Sequence, residues 1–94
     1  MFQIKEKLVE VISLFKYLTY IDNFNVYNKI LNNYQKVYRG IKNKENSEIC
    51  KEDFEPVLNV FRMFMEAVPS EKYLTKYILE KMQEVYEFHE KLRE

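Results

Sequence analysis

The chain has 94 residues, of which 47% are hydrophobic and 32% charged, an ordinary composition for one globular domain. One glycine and two prolines are too few turn residues for a sandwich or barrel of many short strands. Fifteen basic and fifteen acidic residues cancel, so the chain lacks the basic excess that is typical of nucleic-acid-binding domains. The composition predicts a single all-α domain that spans residues 1–94.

Charge is unevenly placed along the chain. Residues 1–44 carry eight basic and three acidic residues, whereas residues 45–94 carry seven basic and twelve acidic residues, an asymmetry that can steer a charged partner. Charged residues come early and no long apolar run follows them, so we expect neither a signal peptide nor a membrane-spanning helix. The single cysteine, Cys50, excludes a disulfide within the chain, which agrees with an expected cytoplasmic location.

The first half of the chain contains two segments with apolar residues at helical spacing. The spacing predicts a first helix over about Phe2–Tyr20, on which Val9, Leu14 and Tyr17 widen the apolar stripe beyond one face. The stripe itself consists of Ile4, Leu8, Val11, Ile12, Phe15 and Leu18. We therefore expect this helix to be buried on more than one side. After a turn at Asp22, the spacing predicts a second helix over about Phe24–Ile41. Gly40 is near its expected C-terminus, where a left-handed glycine often ends a helix. The apolar stripe of this helix consists of Tyr27, Ile30, Leu31, Tyr34, Val37, Tyr38 and Ile41.

The second half contains a polar segment and two further helical segments. Lys42–Asp53 is predicted to be the main loop. A third helix is predicted over about Glu52–Val68, with Pro56 in its first turn, where the backbone N–H has no hydrogen-bond partner within the helix. Pro69 ends that helix, and a fourth is predicted over about Glu71–Arg93. Because short connections make neighbouring helices antiparallel, the sequence predicts an antiparallel bundle of about four helices.

Few residues of the chain could take part in catalysis or metal binding. Cys50 and His89 form the only Cys/His pair, with no zinc-ligand spacing and no orienting third group for nucleophilic catalysis. The chain has no glycine-rich phosphate loop. Glu80, Glu84 and Glu87 are spaced as a solvated acidic ridge on the fourth helix. We therefore expect no enzymatic activity, no cofactor and no metal ion.

Tyrosine is the most unusual component, with eight residues in 94 and no tryptophan. Tyrosine is enriched at protein interfaces, although it also fills the boundary layer of helical bundles. From Asn23 to Lys44 basic residues interleave with tyrosines and no acid occurs, a pattern that can also bind single-stranded nucleic acid. The residues that we predict to contact a protein partner are Tyr38, Arg39, Glu45, Glu48, Glu52, Asp53 and Glu55.

The order of the predicted segments resembles a known family. The likeness rests on the helix from Ile4 to Leu18, the turn Tyr20-x-x-x-Phe24, the segment Tyr34-Gln35-Lys36-Val37-Tyr38-Arg39, the helix around Phe54–Phe64, and Pro69, Leu74 and Tyr86 in the last segment. From Ile4 to Phe88 the pattern resembles small helical immunity proteins of bacterial competition systems, which guard against type VI secreted, NAD-degrading effectors. The resemblance implies a cytoplasmic, non-enzymatic protein that binds and occludes a cognate toxin domain. The Lys42–Asp53 loop is longer than in that family, which leaves the register of the third helix open.

A second family is similar in other segments. Phe54-Glu55-Pro56-Val57-Leu58 and Val85-Tyr86 resemble bacteriocin immunity proteins of the enterocin type, which are also helical bundles of about this length. That resemblance implies action near a membrane receptor instead of direct capture of a toxin. A small helical nucleic-acid-binding regulator and a self-assembling helical subunit, for example a homodimer, are the remaining alternatives.

Overall fold

The computed structural model describes residues 3–21, 25–67 and 73–92, and the predicted breaks at Asp22 and Pro69 lie outside these ranges. Its α-helices are α1 (Ile4–Ile21), α2 (Asn25–Ile41), α3 (Val60–Ala67) and α4 (Tyr73–Glu90). The described ranges contain no strand, and the chain measures 36 × 23 × 20 Å along its principal axes. The predicted all-α bundle is therefore confirmed.

Helix α1 packs between α2 and α4, and α3 also packs against α2 and α4. Two ion pairs show the register of α1 against α4. Lys7 Nζ lies 3.0 Å from Glu84 Oε2, and Lys81 Nζ lies 3.8 Å from Glu10 Oε1. As the residue number rises along α1 it falls along α4, so these two helices are antiparallel.

Three aromatic rings from different helices form the centre of the core. The Phe15 ring of α1 stacks on Tyr34 of α2 at a centroid distance of 6.2 Å. It also meets Phe64 of α3 edge-on at 5.4 Å. All three side chains are buried, and burial raises the pKa of Tyr34 because the phenolate would lose its hydration. The diagonal pair α1 and α3 is thus joined through side chains of the core.

The predicted third helix, Glu52–Val68, is wrong in its first half. Lys51–Val57 forms a 3₁₀ helix, and α-helical geometry begins only at Val60. An α-helix that started at Glu52 would place Pro56 beyond the first turn, where its ring clashes with the preceding turn and a hydrogen bond is lost. The segment instead winds as a 3₁₀ helix, a geometry that occurs in short pieces.

The second helix ends at Ile41 as predicted, but Gly40 does not end it in a left-handed conformation. Gly40 lies inside α2 without a positive φ, and the helix continues to Ile41. Ile41 is fully buried, so packing of this side chain carries the helix past the glycine. The Lys42–Asp53 loop is partly helical, since Asn46–Glu48 forms a 3₁₀ turn and the next residue, Ile49, is buried.

Candidate interaction surface

Helix α1 carries apolar side chains on two opposite faces. The inner face supplies the core with Ile4, Leu8, Val11, Ile12, Phe15 and Leu18. On the outer face Val9 is 44% exposed, Tyr17 54% and Tyr20 88%. Helical spacing places these three residues and Ser13 on one line along the helix, and we call Val9, Ser13, Tyr17 and Tyr20 the α1 strip. The expectation that α1 is buried on a second side is wrong within one copy of the chain.

A groove of about 500 Å³ crosses the α1 strip at Val9 and Ser13. Tyr38 of α2 and Tyr77 of α4 contribute to its lining. Lys81 Nζ lies 5.3 Å from the centroid of the Tyr77 ring, and Tyr38 is half-buried against the core. Tyr38 is thus held by the core and Tyr77 contacts Lys81 of its own helix, and such contacts reduce the side-chain entropy that a partner would have to remove on binding.

Charged residues of both signs border the α1 strip. Glu10 is compensated inside the chain, because its carboxylate lies 3.8 Å from Lys81 Nζ and 3.5 Å from Lys7 Nζ. Glu6 and Lys16 are exposed, and neither forms an ion pair with any residue that the structure describes. Lys16 and Arg39 line an adjoining groove between α1 and α2.

The residues predicted to contact a partner lie in two separate regions. Tyr38 lines both grooves over α1, and Arg39 lines the groove on the α2 side. The acidic residues lie instead in the two 3₁₀ helices and the chain directly around them; they are Glu45, Glu48, Glu52, Asp53 and Glu55. All of these except Asp53 are exposed, so only the first two predicted residues belong to the candidate surface on α1.

Asp53 has a structural role. Its carboxylate accepts a hydrogen bond from the Cys50 N–H at 3.0 Å and pairs with Lys44 Nζ at 2.9 and 3.0 Å. Partial burial raises the pKa of this carboxyl, but the Cys50 amide and the Lys44 ammonium outweigh it, and the pKa lies below its usual range. The same carboxylate hydrogen bond raises the pKa of Lys44. Asp53 thus ties the start of the 3₁₀ helix Lys51–Val57 to the end of α2, and little of it is accessible to a partner.

The tertiary structure brings Cys50 and His89 to one cleft of about 600 Å³, beside Glu52 and Glu55. Their closeness could not be predicted from the sequence, because the two residues belong to distant segments. The His89 ring packs against Phe54 with 6.0 Å between centroids. Nowhere in the described part of the chain do three His, Cys, Asp or Glu side chains lie close enough to share a metal ion.

The tyrosines divide between the core and the surface. Tyr27 and Tyr34 are buried and Tyr38 is half-buried, whereas the exposed tyrosines are Tyr17, Tyr20, Tyr77 and Tyr86. Sequence reasoning did not select the α1 strip as a site. Its signal was nevertheless present, because Val9 and Tyr17 put apolar groups on the face of α1 that lies opposite the core stripe.

Comparison with known proteins adds no information about the function. No protein-family model, no curated protein and no solved structure matches this chain. The likeness to immunity proteins therefore stays a prediction from the pattern of residues. In the ranges that the structure describes, no helix has both the length and the apolar character that a membrane crossing requires.

Proposed function

We propose that this chain is an immunity protein, an inhibitor that binds and neutralises a cognate bacterial toxin by direct protein contact. The observation that carries the proposal is the α1 strip, in which Val9, Tyr17 and Tyr20 are exposed on the outer face of a core helix. A helix that is apolar on both faces is usually buried on both. Exposed apolar side chains in a continuous row mark an interaction surface.

Binding would centre on the groove over Ser13. The small serine side chain leaves room there for an apolar side chain of the toxin, between Tyr38 and Tyr77. Tyrosines of this kind dominate the free energy of binding at many interfaces. Lys16 and Arg39, which line the adjoining groove, would set specificity and raise the rate of encounter.

The acidic region would act at longer range. Glu45, Glu48, Glu52 and Glu55 are exposed, and their charges would attract a basic surface of the toxin. Because such interactions are screened by salt, we expect this region to change the association rate more than the lifetime of the complex.

The proposal predicts that a gene next to the one for this chain encodes the toxin, and co-expression with that toxin domain tests it. The wild-type chain should restore growth and co-purify with the toxin domain. Tyr17→Ser should weaken the complex by about tenfold or more, whereas the matched control Tyr86→Ser, which changes an exposed tyrosine of α4, should leave the affinity within about threefold.

Two outcomes of this experiment, and one outcome of a challenge with a bacteriocin, would contradict the proposal. Cell death with the wild-type chain, together with no co-purification, would reject the immunity function. Equal effects of the Tyr17 and Tyr86 variants would reject the α1 strip as the contact surface. Protection against a bacteriocin without co-purification of a toxin would instead support the enterocin-type alternative.

One observation favours a second candidate, a nucleic-acid-binding regulator. Lys29, Lys36, Arg39 and Lys42 are exposed, and none of them pairs with a carboxylate in the described ranges. Uncompensated cations in one region attract phosphates. This candidate requires retention on single-stranded DNA that falls steeply as salt rises, and a chain that flows through at low salt would eliminate it.

A further inference from the structure

The groove between α1 and α2 is lined by hydrogen-bond donors. It has a volume of about 400 Å³, and its polar lining residues are Ser13, Lys16, Gln35, Tyr38 and Arg39. None of the described residues that line it is acidic. Lysine and arginine side chains only donate hydrogen bonds, and serine, glutamine and tyrosine can donate as well. We call this space the donor groove, because its lining suits an anionic group.

The two cations of the donor groove lack an anionic partner. Lys16 and Arg39 are exposed, and neither pairs with a carboxylate in residues 3–21, 25–67 or 73–92. Arg39 Nε donates to the Gln35 carbonyl oxygen at 3.3 Å, which leaves the two terminal guanidinium nitrogens for a second acceptor. The sequence has no Asp or Glu from Asn23 to Lys44, so no acidic side chain of α2 lowers the positive potential there.

The donor groove adjoins the groove of about 500 Å³ over the α1 strip, and the two share Val9, Ser13 and Tyr38. Lys16 follows Ser13 by about 4.5 Å along the helix axis. An apolar side chain seated over Ser13 would thus lie about one helical turn from an anion at Lys16. A nucleic-acid backbone that ran through both grooves would meet Glu6 and Glu10, which repel phosphates. One carboxylate at the basic end meets no such repulsion.

We propose that the two grooves bind one segment of a protein partner, which carries an apolar side chain over Ser13 and an Asp or Glu carboxylate at Lys16 and Arg39. Residues i and i+3 or i+4 of a helix, or i and i+2 of an extended strand, have the required spacing of about 5–7 Å. In the proposed function the toxin domain presents this segment, and to that extent the assignment rests on the proposed function. The grooves belong to this chain alone, so they are tested without the toxin.

The probe is the acetylated and amidated tripeptide Phe-Ser-Glu, which carries the two side chains at the i and i+2 spacing. Titration of the ¹⁵N-labelled full chain, followed by NMR, should shift the amide signals of Ser13, Lys16 and Arg39 with a Kd of about 1–5 mM. Exchange of Glu for Gln in the peptide should weaken binding by about fivefold or more, because a charge-assisted hydrogen bond is lost. Exchange of Phe for Ala should weaken it by about threefold or more, because apolar contact is lost.

Substitutions in the chain separate the donor groove from the rest of the positive surface. Lys16→Gln and Arg39→Gln should each weaken binding of Phe-Ser-Glu by about fivefold, and they should leave binding of Phe-Ser-Gln within about twofold. Lys36→Gln is the matched control, because it removes a charge at an exposed position of α2 that lines neither groove. This variant should bind Phe-Ser-Glu within about twofold of wild type.

Two results would overturn the assignment to an acidic protein segment. One is equal binding of the Glu and Gln peptides, or no shift at Ser13, Lys16 and Arg39. The other is tighter binding of an oligothymidylate of about eight nucleotides, weakened as much by Lys36→Gln as by Arg39→Gln, which would favour nucleic acid. Peptide binding by a chain that does not capture the toxin would remove only the immunity function. Toxin capture through Tyr17 without peptide binding would remove only the acidic segment.

Discussion

Helices α1 and α2 pack side by side and bury six residues each, yet their outer faces differ. The outer face of α2 carries polar residues such as Asn28, Asn32 and Lys36, all of them exposed. The outer face of α1 carries Val9 and Tyr17. Because both inner faces already supply the core, folding of one copy does not account for the additional apolar residues of α1. The comparison indicates that the inner faces determine stability and that the outer face of α1 is available for another protein.

The largest effect should come from the inner face of α1. Phe15→Ala removes a ring that contacts both Tyr34 and Phe64, and we expect the free energy of unfolding to fall by about 3–5 kcal/mol. Ile30→Ala, at a fully buried position of α2, should lower it by about 2–5 kcal/mol. Urea denaturation followed by circular dichroism measures both. A loss below about 1 kcal/mol for either variant would contradict the inference that both inner faces determine stability.

The contacts of Asp53 with Lys44 and the Cys50 N–H should weaken at low pH. The pKa of Asp53 lies below its ordinary value, so its stabilising contribution is present above the pKa of about 4 in the unfolded chain and is lost as pH falls through the lower folded value. We expect Asp53→Asn to lower the free energy of unfolding by about 1–2 kcal/mol at neutral pH.

Denaturation of the wild type and of Asp53→Asn at several pH values checks this expectation. Their difference should shrink below about pH 4. A difference that stays constant from pH 7 to pH 3 would mean that the carboxylate charge is not the cause.

A smaller change, an increase in the free energy of unfolding, is expected for a substitution in α2. Gly40 has no positive φ, and an added Cβ would meet nothing within 4 Å. Gly40→Ala should therefore raise the free energy of unfolding by about 0.4–1 kcal/mol, because alanine restricts the unfolded chain. Thermal unfolding monitored by circular dichroism measures the gain. Destabilisation would contradict a helical backbone at this position.

The smallest effect on stability should come from the outer face of α1. Tyr17→Ser, at a half-exposed position, should change the free energy of unfolding by about 0.5 kcal/mol or less. Asn32→Ser on the outer face of α2 provides the matched comparison. Denaturation at low protein concentration keeps self-association out of the measurement. A loss of about 2 kcal/mol for Tyr17→Ser would place this residue in the fold and weaken its assignment to a binding surface.

The helical fold could be predicted from the sequence because its signal is local. Apolar spacing along α1 and α2 predicted all twelve of their buried residues. Tyr38 and Arg39 were predicted as contact residues, and the structure places them beside the α1 strip. Asp53 could not be assigned correctly from the sequence. Its role depends on Lys44 Nζ and the Cys50 N–H lying within 3.0 Å of its carboxylate.

The sequence by itself determined the helical class and the inner faces of α1 and α2, since a period of 3.6 residues specifies which side chains share a face. Only the tertiary structure decided which faces stay uncovered. The exposure of Val9 and Tyr17, and the shared cleft of Cys50 and His89, depend on which helices become neighbours. Packing between distant segments determines which helices become neighbours, and the spacing of apolar residues along the chain does not predict it.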